Sequence, residues 1–193
     1  MRSLLFIIGV VFSVLVLPAS AARAQGSSQV VGDVKLADTI FLASQGNMDA
    51  QFQVGRAYFT GQGVALDKTA ATSFFKMAAE QGHTTSESLM GAFYSYGEGV
   101  EIDYAQSMKW YRRAAIKGNA PSQLGLGGLY KEGLGVLKND ITAYAWYAIS
   151  TGLRDNASAE VKAAFEKDMT QEGVVAAQKL AIQCLLSEYK NCG

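Results

Sequence analysis

Histidine and cysteine are nearly missing from this 193-residue chain, which has one His and two Cys. His83 lies far in sequence from Cys184 and Cys192, so these residues do not supply the four ligands of a zinc-type site, and no metal or cofactor is expected. Net charge is missing too, since 17 Lys and Arg balance 17 Asp and Glu. A nucleic-acid binder concentrates its basic residues on one face. The one tight basic group here, Lys109, Arg112, Arg113 and Lys117, falls on the outer side of a predicted helix and reads as a solvated face. Long apolar runs are equally scarce. The single candidate, Leu4 to Leu17, is 14 residues, about 21 Å as a helix, short of the roughly 30 Å hydrocarbon core.

That run follows the basic start Met1-Arg2-Ser3 and precedes Pro18 and the small-residue stretch Ala19 to Ala24, the pattern of a secretory signal. The best A-x-A site is Ala22-Arg23-Ala24, with Ala19-Ser20-Ala21 as competitor. The expectation is a cleaved signal at 1–24 and a periplasmic or secreted protein with no membrane span. Removing it leaves 15 basic against 17 acidic side chains, a formal charge of −2. Export permits a disulfide between Cys184 and Cys192. It would require the tail Lys190-Asn191-Cys192 to fold back after a helix ending near Tyr189.

What the chain does have is a repeat. Gly55, Gly91 and Gly127 are 36 residues apart, as are Tyr58, Tyr94 and Tyr130. The register continues through Gly61, Gly97 and Gly133, then Gly63, Gly99 and Gly135, then Asp67, Asp103 and Asn139, then Phe74, Trp110 and Trp146. A fixed period of this size marks a stack of helical units. Such solenoids mostly bind and seldom catalyse.

Each unit reads as two helices. Ala50, Val54, Ala57 and Tyr58 form one apolar stripe at helical spacing, repeated by Ser86, Met90, Phe93 and Tyr94 and by Ser122, Leu126, Leu129 and Tyr130. The glycines inside that stripe each cost about 1 kcal/mol of helix propensity relative to alanine. Repeated at one position, that cost implies a neighbouring helix too close to admit a Cβ. The Gly-x-Gly pair ends the first helix, and Asp67, Asp103 and Asn139 cap the second. Asp103 with Gln106 fits a capping box. Phe74-Phe75, Trp110-Tyr111 and Trp146-Tyr147 supply the bulk of the second helices.

Carried by the segments 54–82, 90–118 and 126–152, the pattern resembles the Sel-one-like repeat family, a relative of the tetratricopeptide repeats, over about Asp49 to Gly152. The third unit departs from it, being two residues shorter from Tyr147 to Gly152 than Tyr111 to Gly118, and it lacks the alanine pair. The resemblance implies an all-α fold, a right-handed α-solenoid of antiparallel helix pairs. Its expected parts are the signal at 1–24, a linker and capping helix at 25–48, repeats at 49–84, 85–120 and 121–152, and C-terminal capping helices and tail at 153–193. The N-terminal cap falls at Leu36 to Gly46. The C-terminal caps are a helix from Ala157 to Lys167, presenting Val161, Ala164 and Phe165, and a second opened by Thr170. Solenoids need such ends for solubility.

Catalysis has little to stand on, and the chain is read as a non-enzyme. Ser73-Phe74-Phe75-Lys76 matches S-x-x-K, the nucleophile motif of β-lactam-recognising enzymes, yet no S-D-N or K-T-G partner accompanies it. His83 has no acid, nucleophile or oxyanion donor near it in the pattern. Gly61-x-Gly63 and Gly125-x-Gly127-Gly128 follow no predicted strand, so they read as turns and helix contacts.

Binding fits better. The resemblance implies that the first helix of each repeat lines the concave side, which places Phe52, Arg56, Phe59 and Thr60 there in repeat one. Ser88, Ala92, Ser95 and Tyr96 are their equivalents in repeat two, and Leu124, Gly128, Lys131 and Glu132 in repeat three. Phe52, Arg56 and Phe59 share a helix face, so the arginine can clamp a carboxylate between two rings. Equally, both rings can bury against the N-terminal cap. The expected partner is a peptide or helix of another envelope or secreted protein. A cell-wall glycan stacking on aromatics is the alternative, and a β-lactam the remote one.

Overall fold

Asn47, His83 and Asn119 stand 36 residues apart, and each opens the first helix of a repeat. The Asn47 Oδ1 accepts from the Ala50 N–H at 2.8 Å, the His83 Nδ1 from Ser86 N–H at 3.2 Å, and the Asn119 Oδ1 from Ser122 N–H at 3.0 Å. The computed structural model describes residues 35–152, 165, 167, 169–190 and 192. The expected signal, the linker before residue 35 and most of the expected 157–167 helix, including Val161 and Ala164, lie outside them.

Within the described residues the chain is helical and forms no strand. Helix α1 covers residues 35–44. The repeats follow as α2 (Met48–Thr60) and α3 (Lys68–Glu80), α4 (Thr84–Tyr96) and α5 (Tyr104–Ala115), then α6 (Ala120–Glu132) and α7 (Asp140–Ser150). Helix α8 (Gln171–Leu186) packs on α7. Each helix otherwise lies against its neighbours in sequence, which is the arrangement of an α-solenoid.

Turn chemistry repeats with the period. Gly97 ends α4 at φ 75°, its N–H donating to the Phe93 carbonyl at 2.8 Å. Gly99, at φ 71°, lies against the start of the preceding repeat's second helix, where a Cβ would collide with the Lys68 carbonyl oxygen. Both the left-handed backbone and the close approach require glycine. Asp67, Asp103 and Asn139 then cap α3, α5 and α7. Asp103 accepts from Gln106 N–H at 2.9 Å, but its own N–H donates to the Tyr94 carbonyl at 2.9 Å. That bond takes the place of the reciprocal half of the expected capping box, and Asp67 and Asn139 make the same link to Tyr58 and Tyr130.

The mid-helix glycines meet rings. A Cβ on Gly55 would stand 2.9 Å from the Phe75 ring and one on Gly127 3.0 Å from the Tyr147 ring. One on Gly91 would overlap the Tyr111 ring. Here the second residue of each aromatic pair faces the first helix of its own repeat. The first residue, Trp110 or Trp146, is buried on the other side at 4% and 1% exposure.

The junction between repeats one and two departs from the sequence reading of the basic cluster. Gln51, Glu87 and Gln123 are equivalent, and all are buried. Gln51 and Gln123 each donate to a carbonyl of the preceding helix, Ala43 at 3.3 Å and Ala115 at 3.1 Å. Glu87 has no proton to donate as a carboxylate, so the Arg113 Nη2 bonds the equivalent Ala79 carbonyl at 3.1 Å. The Arg113 Nε also donates to Glu87 at 3.0 Å, and Lys117 Nζ reaches its other oxygen at 2.7 Å. Arg113 and Lys117 therefore form a clamp between repeats and not a free solvated face. A buried carboxylate needs such pairing, because desolvation otherwise costs several kcal/mol.

At the C-terminus α8 stops at Leu186, short of the expected Tyr189. Glu188 and Tyr189 take positive φ values of 50° and 64°, turning the chain back. Cys184 and Cys192 are disulfide-bonded. Tyr189 stacks on Trp146 with centroids 6.3 Å apart, and its hydroxyl accepts from Gln123 Nε2 at 3.3 Å. The tail is thus tied to repeat three.

Candidate binding grooves

Two recesses open on the first-helix side of the stack, and their floors differ because equivalent residues differ. The first, of about 1030 Å³, lies between α1 and repeat one and is bordered by Lys35, Leu36, Gln53, Arg56 and Gln62. Its charged residues, among those described, are Lys35 and Arg56, both basic. The second, of about 600 Å³, lies between repeats two and three. Tyr96, Tyr104, Tyr111 and Tyr147 line it with Leu124, and among the described residues Glu132 is its sole charged one.

The expected residues of repeat one divide between groove and core. Arg56 is exposed in the first recess, with its guanidinium 5.9 Å from the Phe52 centroid and hydrogen-bonded to Gln53 at 3.5 Å. Thr60 is exposed and its hydroxyl donates back to the Arg56 carbonyl at 2.9 Å. Phe52 and Phe59 are half-buried. Phe52 packs on His83 at 4.4 Å and on Phe75 at 5.7 Å, while Phe59 stacks on Phe93 at 5.4 Å. Their packing partners belong to repeats one and two, not to α1.

Farther along, Ser88 is half-buried and Tyr96 is 75% exposed at the mouth of the second recess. Lys131 turns away from it, placing Nζ 5.0 Å over the Phe165 ring. Sequence reasoning gave Tyr104 no role, placed Tyr111 only in the bulk of a second helix, and read Gly125 as a turn or helix contact. The readable clue was the exchange of bulky for small residues between units. Phe59 and Leu89 pack the first junction, and 36 residues on stand Ser95 and Gly125.

Those small residues shape the recess. Ser95 leaves the Tyr111 hydroxyl within hydrogen-bonding reach, though burial and the nearby Tyr96 still push that phenol up to about 12. The Tyr111 ring fits between Gly91 and Gly125, where a Cβ on Gly125 would stand 2.7 Å from it. Gly128 is different, because a Cβ there would meet only the Tyr147 hydroxyl, at 3.7 Å. Burial and then the Glu132 carboxylate hold the Tyr147 phenol above its usual range.

The residues with a catalytic look are otherwise engaged. The Ser73 hydroxyl donates to the Thr69 carbonyl at 3.0 Å on an exposed face of α3. His83 spends Nδ1 on its cap and packs its ring on Phe52. Among the described residues no three His, Cys, Asp or Glu cluster to hold a metal. No described helix is long and apolar enough to cross a membrane.

A model of the Sel1 repeat matches residues 49–83, 85–119 and 120–150, more than half of the chain. The chain belongs to the Sel1 repeat family. It is similar to a protective antigen present in uropathogenic Escherichia coli strains that displays an SLR fold, at 35% identity and TM-score 0.64. That match covers 75% of this chain but only 31% of the antigen. A Sel1 repeat protein from Oxalobacter formigenes is similar at 32% identity and TM-score 0.58, covering 66% of this chain and 97% of that one. No curated protein matches. Sel1 repeat proteins are generally protein-interaction scaffolds without enzymatic activity, and the second recess of this Sel1 chain is built from residues that vary among its own repeats.

Proposed function

We propose that this Sel1 repeat chain is an exported scaffold that holds a segment of another envelope protein in the groove between repeats two and three. The observation that carries this reading is the 600 Å³ tyrosine-lined recess, at a place where the preceding junction is filled by Phe59 and Leu89. Rigid aromatic side chains give large contact area at low entropic cost, which suits them to anchoring a partner. Residues 1–24 serve as the export signal, 25–48 and 153–193 cap the ends, and 49–152 form the binding stack. The Cys184–Cys192 bond accords with an oxidising compartment.

A photo-crosslinking amino acid at Tyr96 tests this in the native envelope. The expected result is one dominant crosslinked protein, identified by mass spectrometry and absent when the crosslinker replaces the exposed Lys76 on α3. Equal labelling from both positions overturns the site. Tyr96-dependent binding to purified peptidoglycan, with no crosslinked protein, replaces the protein partner with a glycan.

A further inference from the structure

The two inter-repeat junctions are built on the same plan and end differently. At the first, Phe59 stacks on Phe93 and Leu89 packs beside them, so the space is occupied from within the chain. At the second, Ser95 and Gly125 stand in their places, and the recess is left open with four tyrosines around it. The position of Gly128 is held by Arg56 in repeat one, whose guanidinium approaches the Phe52 ring. Repeat one thus places a cation beside an aromatic face there, and repeat three has Leu124 and Gly128 at the equivalent positions.

Charge points the same way. Among the described residues that line the recess Glu132 is the only charged one, and after burial its carboxylate helps hold the Tyr147 phenol above its usual range. The adjacent cation, Lys131, is drawn off to Phe165. Tyrosine rings present electron-rich faces that attract a cation, by about 0.5–1 kcal/mol when exposed and about 2 when desolvated. A neighbouring carboxylate adds a charge-assisted hydrogen bond. A negatively charged or purely aliphatic group would leave Glu132 unpaired or repelled.

Resting on the scaffold reading above, we infer that the recess between repeats two and three receives the cationic side chain of an arginine or lysine on the partner protein. The side chain enters past Leu124, lies against the exposed Tyr96 ring and pairs its head group with Glu132.

The test uses the ¹⁵N-labelled mature protein and three probes: the capped tripeptides Ala-Arg-Ala and Ala-Leu-Ala, and choline chloride. The arginine peptide is expected to shift the Gly125 and Gly128 amide resonances saturably, and the leucine peptide is not. Glu132→Gln, at an exposed position, should weaken the arginine peptide about tenfold. Gly128→Arg, which tethers a cation in the recess as Arg56 does in repeat one, should abolish its binding. Equal binding of the leucine peptide, or no effect of Glu132→Gln, overturns the inference. Binding of choline without the arginine peptide also overturns it, in favour of a quaternary ammonium head group. If no probe binds while Tyr96 still crosslinks a partner, the cation inference fails and the scaffold reading survives. Loss of both results removes both.

Discussion

The Tyr111 ring lies directly over Gly91, where any Cβ would overlap the ring carbons. The contact explains why a helix-weakening residue stands in the middle of α4. It also yields a pair of predictions with opposite signs. Gly91→Ala gains about 1 kcal/mol of helix propensity but forces an overpacked contact costing about 1–3 kcal/mol, a net loss. Gly128→Ala, with room beside Tyr147, keeps the gain and should stabilise by up to about 1 kcal/mol. Urea unfolding of both variants checks the contrast.

The Glu87 clamp predicts a compensated substitution. Arg113→Met alone should destabilise by about 3 kcal/mol, the low end for breaking a buried pair, because Lys117 still reaches Glu87. Repeat one carries Gln51, Met77 and Gln81 in place of Glu87, Arg113 and Lys117, with Gln81 donating to Gln51 at 2.7 Å. The triple variant Glu87→Gln, Arg113→Met, Lys117→Gln should therefore recover most of the loss. A triple variant no more stable than Arg113→Met would show that the neutral arrangement does not transfer.

Reduction of the Cys184–Cys192 bond, whose partners are 8 residues apart, should lower unfolding free energy by about 2.6 kcal/mol on the loop-entropy model. Tyr189 stacks on Trp146 from within that loop, so tryptophan emission should change under mild reductant before global unfolding. Unchanged emission and midpoint would mean that the tail is held without the bond.

Tyr111 predicts alkaline sensitivity. Its phenol rises from 10.0 to about 12, through burial first and the neighbouring Tyr96 second. The raised value means the fold favours the neutral phenol. That stabilisation is complete below pH 10 and is lost as pH rises from about 10 through about 12. Unfolding free energy should fall across that window, and Tyr111→Phe should fall less steeply. Phenolate absorbance of the folded protein should show late-titrating tyrosines, since Tyr147 is raised as well, and the variant should show one fewer.

The helices were legible because their signals are local. Asp67, Asp103 and Asn139 act on backbone groups three residues away, and Gly97 sets a turn by its own backbone, so sequence spacing is enough to find them. The Gly91 contact was legible in kind, since a repeated propensity cost needs a cause, though the ring that causes it was not named. The N-caps Asn47, His83 and Asn119 were not legible, because each follows a glycine and fits a turn as well as a cap.

The roles of charged and aromatic side chains were less legible. Arg113 and Lys117 read as surface until Glu87, on another helix, was seen buried between them. Phe52 and Phe59 share a helix face with Arg56, yet neighbouring helices cover the rings and leave the guanidinium to solvent.

The 36-residue period by itself determined that this chain is a stack of helix pairs, because caps, turns and apolar stripes act over a few residues and recur in every unit. Only the tertiary structure decided where the stack is open. The size of a recess depends on which side chains from separate helices meet, and Ser95 and Gly125 become a gap only when packed beside Tyr111.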